Sequence, residues 1–171
     1  MPRYVAMMRG VSPMNAIMAD WRRCLAHAGF GGVVTVLASG NVVFDTDELP
    51  DDEVASSVEA AMEAGLGRSF ATIVRPQAEL AAIVAADTFA AWTLAPGSKR
   101  VLTFLRRAPS CLPQLPLIVD ATTIFAADDR TVYTAYVPDR RGPQFMNLIE
   151  RTFGKDVTTR TWQTVTKCAV A

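Results

Sequence analysis

The apolar positions along this chain change their period several times, and each change marks an element. Tyr4-Val5-Ala6-Met7-Met8 is a continuous apolar run closed by Arg9-Gly10, which predicts a short strand. From Ala16 to Ala28 the apolar residues fall at Ile17, Trp21, Cys24, Leu25 and Ala28, helical spacing with Gly29 as the stop. Val33 to Leu37 is β-branched and predicts a second strand, and Val42-Val43-Phe44 pairs back onto it across Ala38-Ser39-Gly40-Asn41. Asp51 to Ala64 predicts a second helix: Pro50 precedes it, its opening acids suit the positive end of the helix dipole, and Gly65 and Gly67 are expected to end it. Phe70 to Val74 predicts a fourth strand. Over residues 3–75 the order is β-α-β-β-α-β, the ferredoxin-like or split βαβ pattern.

The remainder is less periodic. Gln77 to Ala86 predicts a helix, Val101 to Leu105 a strand, and Pro109, Pro113 and Pro116 irregular chain. Thr123–Ala126 and Val132–Val137 form a hairpin pattern across Asp128-Asp129-Arg130, and Pro143 to Phe153 predicts a helix stopped by Gly154. Thr158 to Ala171 turns from polar to apolar, with a short helix from about Trp162. The expected fold class is α+β: a ferredoxin-like part, residues 1–76, followed by a second, smaller α+β part, residues 77–171, packed against it.

That order makes a geometric statement. A helix returns the chain between the first two strands, so they run parallel, with the third strand antiparallel between them. Their ends, Arg9-Gly10 and Ser39-Gly40-Asn41, fall at one edge of the sheet, about 10 Å apart at a strand spacing near 4.8 Å. The first helix starts at the same edge with its free N–H groups. A guanidinium, two glycines that permit close backbone approach and two small polar side chains would suit an anionic or strongly polar ligand. The plain alternative is turn chemistry, since Gly-Asn between two strands is an ordinary turn.

Composition narrows the function. The chain has 171 residues, half of them hydrophobic, enough for a real core. Seventeen basic residues balance seventeen acidic ones, which argues against a protein that coats duplex DNA. The balance is uneven: residues 1–95 carry six Arg against eleven acids, and residues 96–171 carry eleven Lys or Arg against six acids. Cys24, Cys111 and Cys168 form no CxxC and no even framework, so reduced thiols in a cytoplasmic protein are expected. No signal peptide or membrane span is expected from the apolar runs. His27 is the only histidine, so neither a zinc site nor a Ser-His-Asp triad is expected, and no GxGxxG or GxxxxGK[ST] offers a nucleotide fingerprint. Asp45, Asp47 and Glu48 read as a solvated loop, so no metal and no cofactor is assigned. Aromatic-plus-basic RNA readout has no supporting motif in Tyr4 and Phe44.

Tyr4-Val5-Ala6, Arg9-Gly10, Met18, Gly29-Phe30, Ser39-Gly40-Asn41-Val42-Val43-Phe44, Thr158-Thr159-Arg160, Trp162 and Thr164-Val165-Thr166-Lys167 stand in an order that resembles a widespread bacterial family, domain of unknown function 1697. The resemblance runs the length of the chain. It implies a compact cytoplasmic α+β protein with a ferredoxin-like part and no assigned role, in which Arg9, Gly10, Ser39, Gly40, Asn41, Arg160, Trp162, Thr164 and Lys167 recur. This chain departs from the family pattern with Pro13-Met14 in the turn after Arg-Gly, Ala38 where Gln precedes Ser-Gly-Asn, Pro143-Gln144 in place of a Ser-Lys pair, and Thr161 and Gln163 beside the tryptophan.

The candidate site is therefore Arg9, Gly10, Ser39, Gly40 and Asn41 with Arg160, Trp162 and Lys167, whose guanidinium, indole and ammonium can hold a phosphate and stack on a base. Trp162 as a packed anchor is the alternative. The leading expectation is a binding domain for an anionic small molecule, nucleotide or phosphate. An enzyme using the same polar loops and a nonenzymatic interaction domain stay open beside it, and the sequence does not give the oligomeric state.

Overall fold

Both faces of the first strand are buried. Tyr4, Ala6 and Met8 belong to one apolar cluster, and the alternate residues Val5 and Met7 are equally covered. The run has no polar alternation because the strand is central. A computed structural model shows this and describes residues 1–142 and 144–171; Pro143, the expected start of the fourth helix and half of the Pro143-Gln144 departure, lies outside the described residues.

The elements run β1 (Arg3–Met8), α1 (Met18–His27), β2 (Gly31–Thr35), β3 (Asn41–Asp45), α2 (Asp51–Leu66), β4 (Thr72–Pro76), α3 (Gln77–Ala86), β5 (Lys99–Leu105), β6 (Leu117–Val119), β7 (Thr122–Ala127), β8 (Thr131–Tyr136), α4 (Gln144–Phe153), β9 (Val157–Thr161) and α5 (Trp162–Val170), with a short 3-10 helix at Thr88–Ala91. The protein is a mixed α+β molecule with two antiparallel sheets, ordered β2-β3-β1-β4 and β6-β7-β8-β5-β9. It divides into two compact units: Met1–Ala85 with Thr164–Ala171, and Ala86–Gln163. The expected division after residue 76 thus differs from these units, because α3 up to Ala85 and most of α5 group with the first sheet.

In the first unit β1 lies between β3 and β4, with Ala6 opposite both Val42 and Val74. Tyr4, Ala6, Met8, Phe44 and Val74 meet Trp21, Leu25, Val54, Val58 and Met62 of α1 and α2 in one core. The opposite face is tied to α3 and the end of α5 by polar groups: Arg75 Nε stands 3.5 Å from Glu79 Oε1, and Arg3 Nε donates to the Ala171 carbonyl at 3.2 Å. Gln77 Nε2 donates to the carbonyls of Cys168 and Ala171, satisfying acceptors that a helix end leaves open.

Gly65 does not end α2 as expected. It lies inside the helix, and the stop is Gly67 in the left-handed conformation at φ 71°. The reason is packing against α1: a Cβ on Gly65 would stand 2.7 Å from Cys24 Cβ. β4 begins at Thr72 rather than Phe70, because Phe70 leaves the strand register to pack its ring against Trp21, with centroids 5.7 Å apart.

In the second unit α4 covers one face, with Phe145, Leu148 and Ile149 packed on Val101, Leu105, Ile124, Val132 and Val157. Two strands were not foreseen. β6 falls directly after Pro116, where three prolines suggested irregular chain. β9, VTTRT, is a strand despite its polar residues, which the sequence pattern assigns to the polar start of the tail. Thr159 ties it to β5: the Thr103 and Thr159 hydroxyls share a 2.8 Å hydrogen bond across the pair.

Candidate functional site

Main-chain bonds join the β1 end and the β2–β3 hairpin directly. Met8 N–H donates to the Gly40 carbonyl at 2.8 Å, and Arg9 N–H donates to Ala71 at 2.9 Å. Gly40 is buried at φ 82°, and a Cβ there would stand 3.0 Å from Val11 Cβ and 3.2 Å from the Met8 carbonyl. A glycine is required at this point both by conformation and by contact with the other loop. Asn41 is fully buried, and its Nδ2 donates to the Val36 carbonyl and to Ser39 Oγ, each at 3.0 Å. It holds the hairpin closed from inside. Ser39 and Gly10 are exposed, and Arg9 is half-buried.

The loop after Gly10 is braced in turn. Asn15 Nδ2 donates to the Gly10 carbonyl and Asn15 Oδ1 accepts from Ser12 N–H, both at 2.8 Å. This loop leads to α1, whose N-cap, Ile17, offers no side-chain acceptor. Pro13, Met14, Asn15, Ala16 and Ile17 form one wall of a cleft of about 310 Å³, closed by Asp20, Trp21, Leu66 and Arg68. Trp21 is fully buried, and its indole Nε1 has no acceptor among the described residues. An unsatisfied buried donor of this kind costs about 1–3 kcal/mol. Arg68, exposed at the rim, lies over the Phe70 ring, 5.4 Å from its centroid. The Asp20 carboxylate is engaged by Arg23.

The other nominated residues have different settings. Lys167 is exposed in the last turn of α5, where a cation suits the helix dipole, and no hydrogen bond or ion pair joins it to either loop among the described residues. Arg160 and Trp162 belong to the second unit. Arg160 is buried, and its guanidinium donates to Thr158 Oγ1 at 2.7 Å and to the Thr159 carbonyl at 2.9 Å. Trp162 packs edge-on against Phe89 at 5.5 Å, and the Arg100 guanidinium caps both rings. The structure therefore brings together Arg9, Gly10, Ser39, Gly40 and Asn41.

Sequence reasoning passed over Trp21 and Arg68. Trp21 enters the sequence reading only as part of the helical period; the geometry shows it fully buried and its N–H without an acceptor among the described residues. Arg68 carried a readable signal, since it directly follows the Gly67 stop and must project from a helix end. Among the described residues no three His, Cys, Asp or Glu side chains gather as a metal site, and no helix is long and apolar enough to cross a membrane.

The family described as "Protein of unknown function (DUF1697)" matches residues 1–133. None of the curated proteins matches the chain. Among solved structures, the conserved bacterial protein SP0830 from Streptococcus pneumoniae is similar in fold, with a TM-score of 0.70 at 16% identity, over 99% of this chain and 97% of that one.

Proposed function

The chain belongs to the DUF1697 family of proteins of unknown function, and we propose that its first unit binds a small anionic molecule of the phosphate or nucleotide class in the cleft before α1. The observation that carries this reading is the Trp21 indole N–H, a buried donor without an acceptor among the described residues, on a residue that lines that cleft. Two further features fit it. The start of α1 has no side-chain cap, so its first N–H groups and the helix dipole favour an anion there. Arg68 supplies a full positive charge at the rim.

In this reading Arg9, Gly10, Ser39, Gly40 and Asn41 position the loop that frames the cleft, through the Gly40–Val11 contact and the Gly10–Asn15 bond. Arg160 and Trp162 serve the packing of the second unit. The reading assigns binding and no reaction. In fold terms, we read the order β2-β3-β1-β4 with α1 and α2 packed into one core as a ferredoxin-like unit. We place the protein in the cytoplasm, where three free thiols, Cys111 exposed among them, stay reduced.

The test is a thermal-shift titration of the intact chain with inorganic phosphate, pyrophosphate, ADP and adenosine. The phosphate-bearing probes should raise the melting temperature by several degrees near a hundredfold excess over Kd, where linkage supplies about 2.7 kcal/mol. Adenosine should not. Arg68→Ala and Trp21→Phe should each weaken the response about tenfold or more. A flat response to every anion, or an unchanged response in Arg68→Ala, overturns the proposal.

A further inference from the structure

The second unit holds a separate cavity that the anion reading leaves unused. The segment Trp92–Ser98 stands over one side of the β6-β7-β8 sheet and leaves a groove of about 420 Å³. Its walls are mostly apolar: Trp92, Leu94, Pro116 and Ile118, with Phe125 and Val137 on β7 and just beyond β8; Thr93, Ser98 and Thr123 add hydroxyls. Ile118, on the edge strand, is 67% exposed, and Trp92 is 37% exposed. The Trp92 and Phe125 rings stand 5.0 Å apart at 44°. Two large apolar side chains open to solvent at one groove are unusual for packing alone, and the volume is that of a small-molecule site.

Charge decides what kind of molecule fits. Among the described residues, the one ionisable side chain lining the groove is Asp120, in the turn between β6 and β7, and no Lys, Arg or His lines it. Arg141 shares an adjoining small pocket with Asp120, and its guanidinium is already held by Asp139 through two hydrogen bonds of 2.9 and 2.7 Å. The carboxylate excess is therefore kept. The faces of Trp92 and Phe125 carry the negative part of the ring quadrupole, which also favours a cation. Ser98 Oγ donates to the Ala95 carbonyl, so the floor offers no free donor for an anion from that residue.

We infer that this groove binds a small amphipathic cation, an aryl- or alkyl-ammonium whose apolar body lies between Trp92, Ile118 and Val137 and whose ammonium faces Asp120. The site is independent of the α1 cleft and opposite to it in charge preference. An anionic aromatic of the same size is the molecule it should reject.

The experiment uses the intact chain and three probes of matched size: phenethylammonium, 3-phenylpropan-1-ol and 3-phenylpropionate. Titration by methyl and indole NMR should shift the Ile118 and Val137 methyls and the Trp92 indole N–H, with affinity falling from ammonium to alcohol to carboxylate. Asp120→Asn should weaken the ammonium about three- to fivefold, as for an exposed ion pair, and leave the alcohol unchanged. Trp92→Ala should cost both about tenfold. Should Trp92→Ala fold poorly, Ile118→Lys gives a second reading: the position is exposed, and the new ammonium should abolish the cation preference. Absence of shifts at Ile118 and Val137 with all three probes overturns the inference. So does a carboxylate that binds as well as the ammonium, or an ammonium affinity unchanged by both Asp120→Asn and Ile118→Lys.

Discussion

At the scale of single residues, the hairpin Ser39-Gly40-Asn41 is held by demands that leave little freedom. Gly40→Ala would add a Cβ against both Val11 and the Met8 carbonyl while forcing a non-glycine residue to φ 82°. We expect a loss of about 1–3 kcal/mol, read as a lowered urea midpoint with unchanged slope. Asn41→Ala removes both Nδ2 bonds from a fully buried site. It should cost about 1–3 kcal/mol, whereas Ser39→Ala at the exposed end of the same network should cost well under that. Equal losses in the two variants would mean that Asn41 does not hold the turn. Cys24 adds a pH dependence. Burial pushes its thiol above the ordinary value, so the folded chain keeps a proton that the unfolded chain has released. The folded state then binds more protons in that window, and stability falls as pH rises through and above the ordinary thiol range, while below it the contribution is complete. Urea midpoints taken from pH 7 to 10 should decline more steeply for the native chain than for Cys24→Ala.

Between elements, α1 and α2 approach closely at Cys24 and Gly65. An alanine at a helix interior normally gains about 1 kcal/mol over glycine. Here its Cβ would meet Cys24 Cβ at 2.7 Å, so Gly65→Ala should instead destabilise by about 1–3 kcal/mol. The contact is with Cβ and not the sulfur, so Cys24→Ala should not rescue it and Cys24→Gly should recover part of the loss. Rescue by Cys24→Ala would show that sulfur volume is the obstacle. The same contact explains why the sequence misled at this point. Glycine near a helix end reads as a stop, and nothing local distinguishes a glycine that ends a helix from one that lets a second helix approach. β6 and β9 were hidden for related reasons. β6 has only three residues and follows a proline-rich stretch, and β9 earns its place by pairing with β5, whose register lies over fifty residues away. Strands whose own periodicity was clear, β1, β3, β7 and β8, were legible because burial on one or both faces writes itself into the sequence. The strand-end loops were legible as a pair for that reason, while the orphaned indole of Trp21 was not, since an absent acceptor leaves no mark on the chain.

For the whole molecule, the path of the chain matters more than any one element. It leaves the first unit at Ala85 and returns at Thr164, so the first unit is completed only by residues 164–171. Those residues bring the buried side chains of Val165 and Cys168 and the carbonyls that accept from Gln77 and Arg3. Burying one aliphatic side chain is worth about 1.5–3 kcal/mol, and each such hydrogen bond contributes about 1 kcal/mol. Truncation after Gln163 should therefore destabilise the first unit by about 4 kcal/mol or more, a large share of the 5–15 kcal/mol typical of a domain. Hydrogen exchange reads the two units separately. Amides of β1 and β4 should lose protection on truncation, while those paired between β7 and β8 serve as the internal reference. Gln77→Ala, which removes the two bonds to the Cys168 and Ala171 carbonyls, should reproduce a fraction of the effect at β1 and β4. Unchanged protection there in the truncated chain would mean that the first sheet is stable without α5, and that its return is a matter of connection alone.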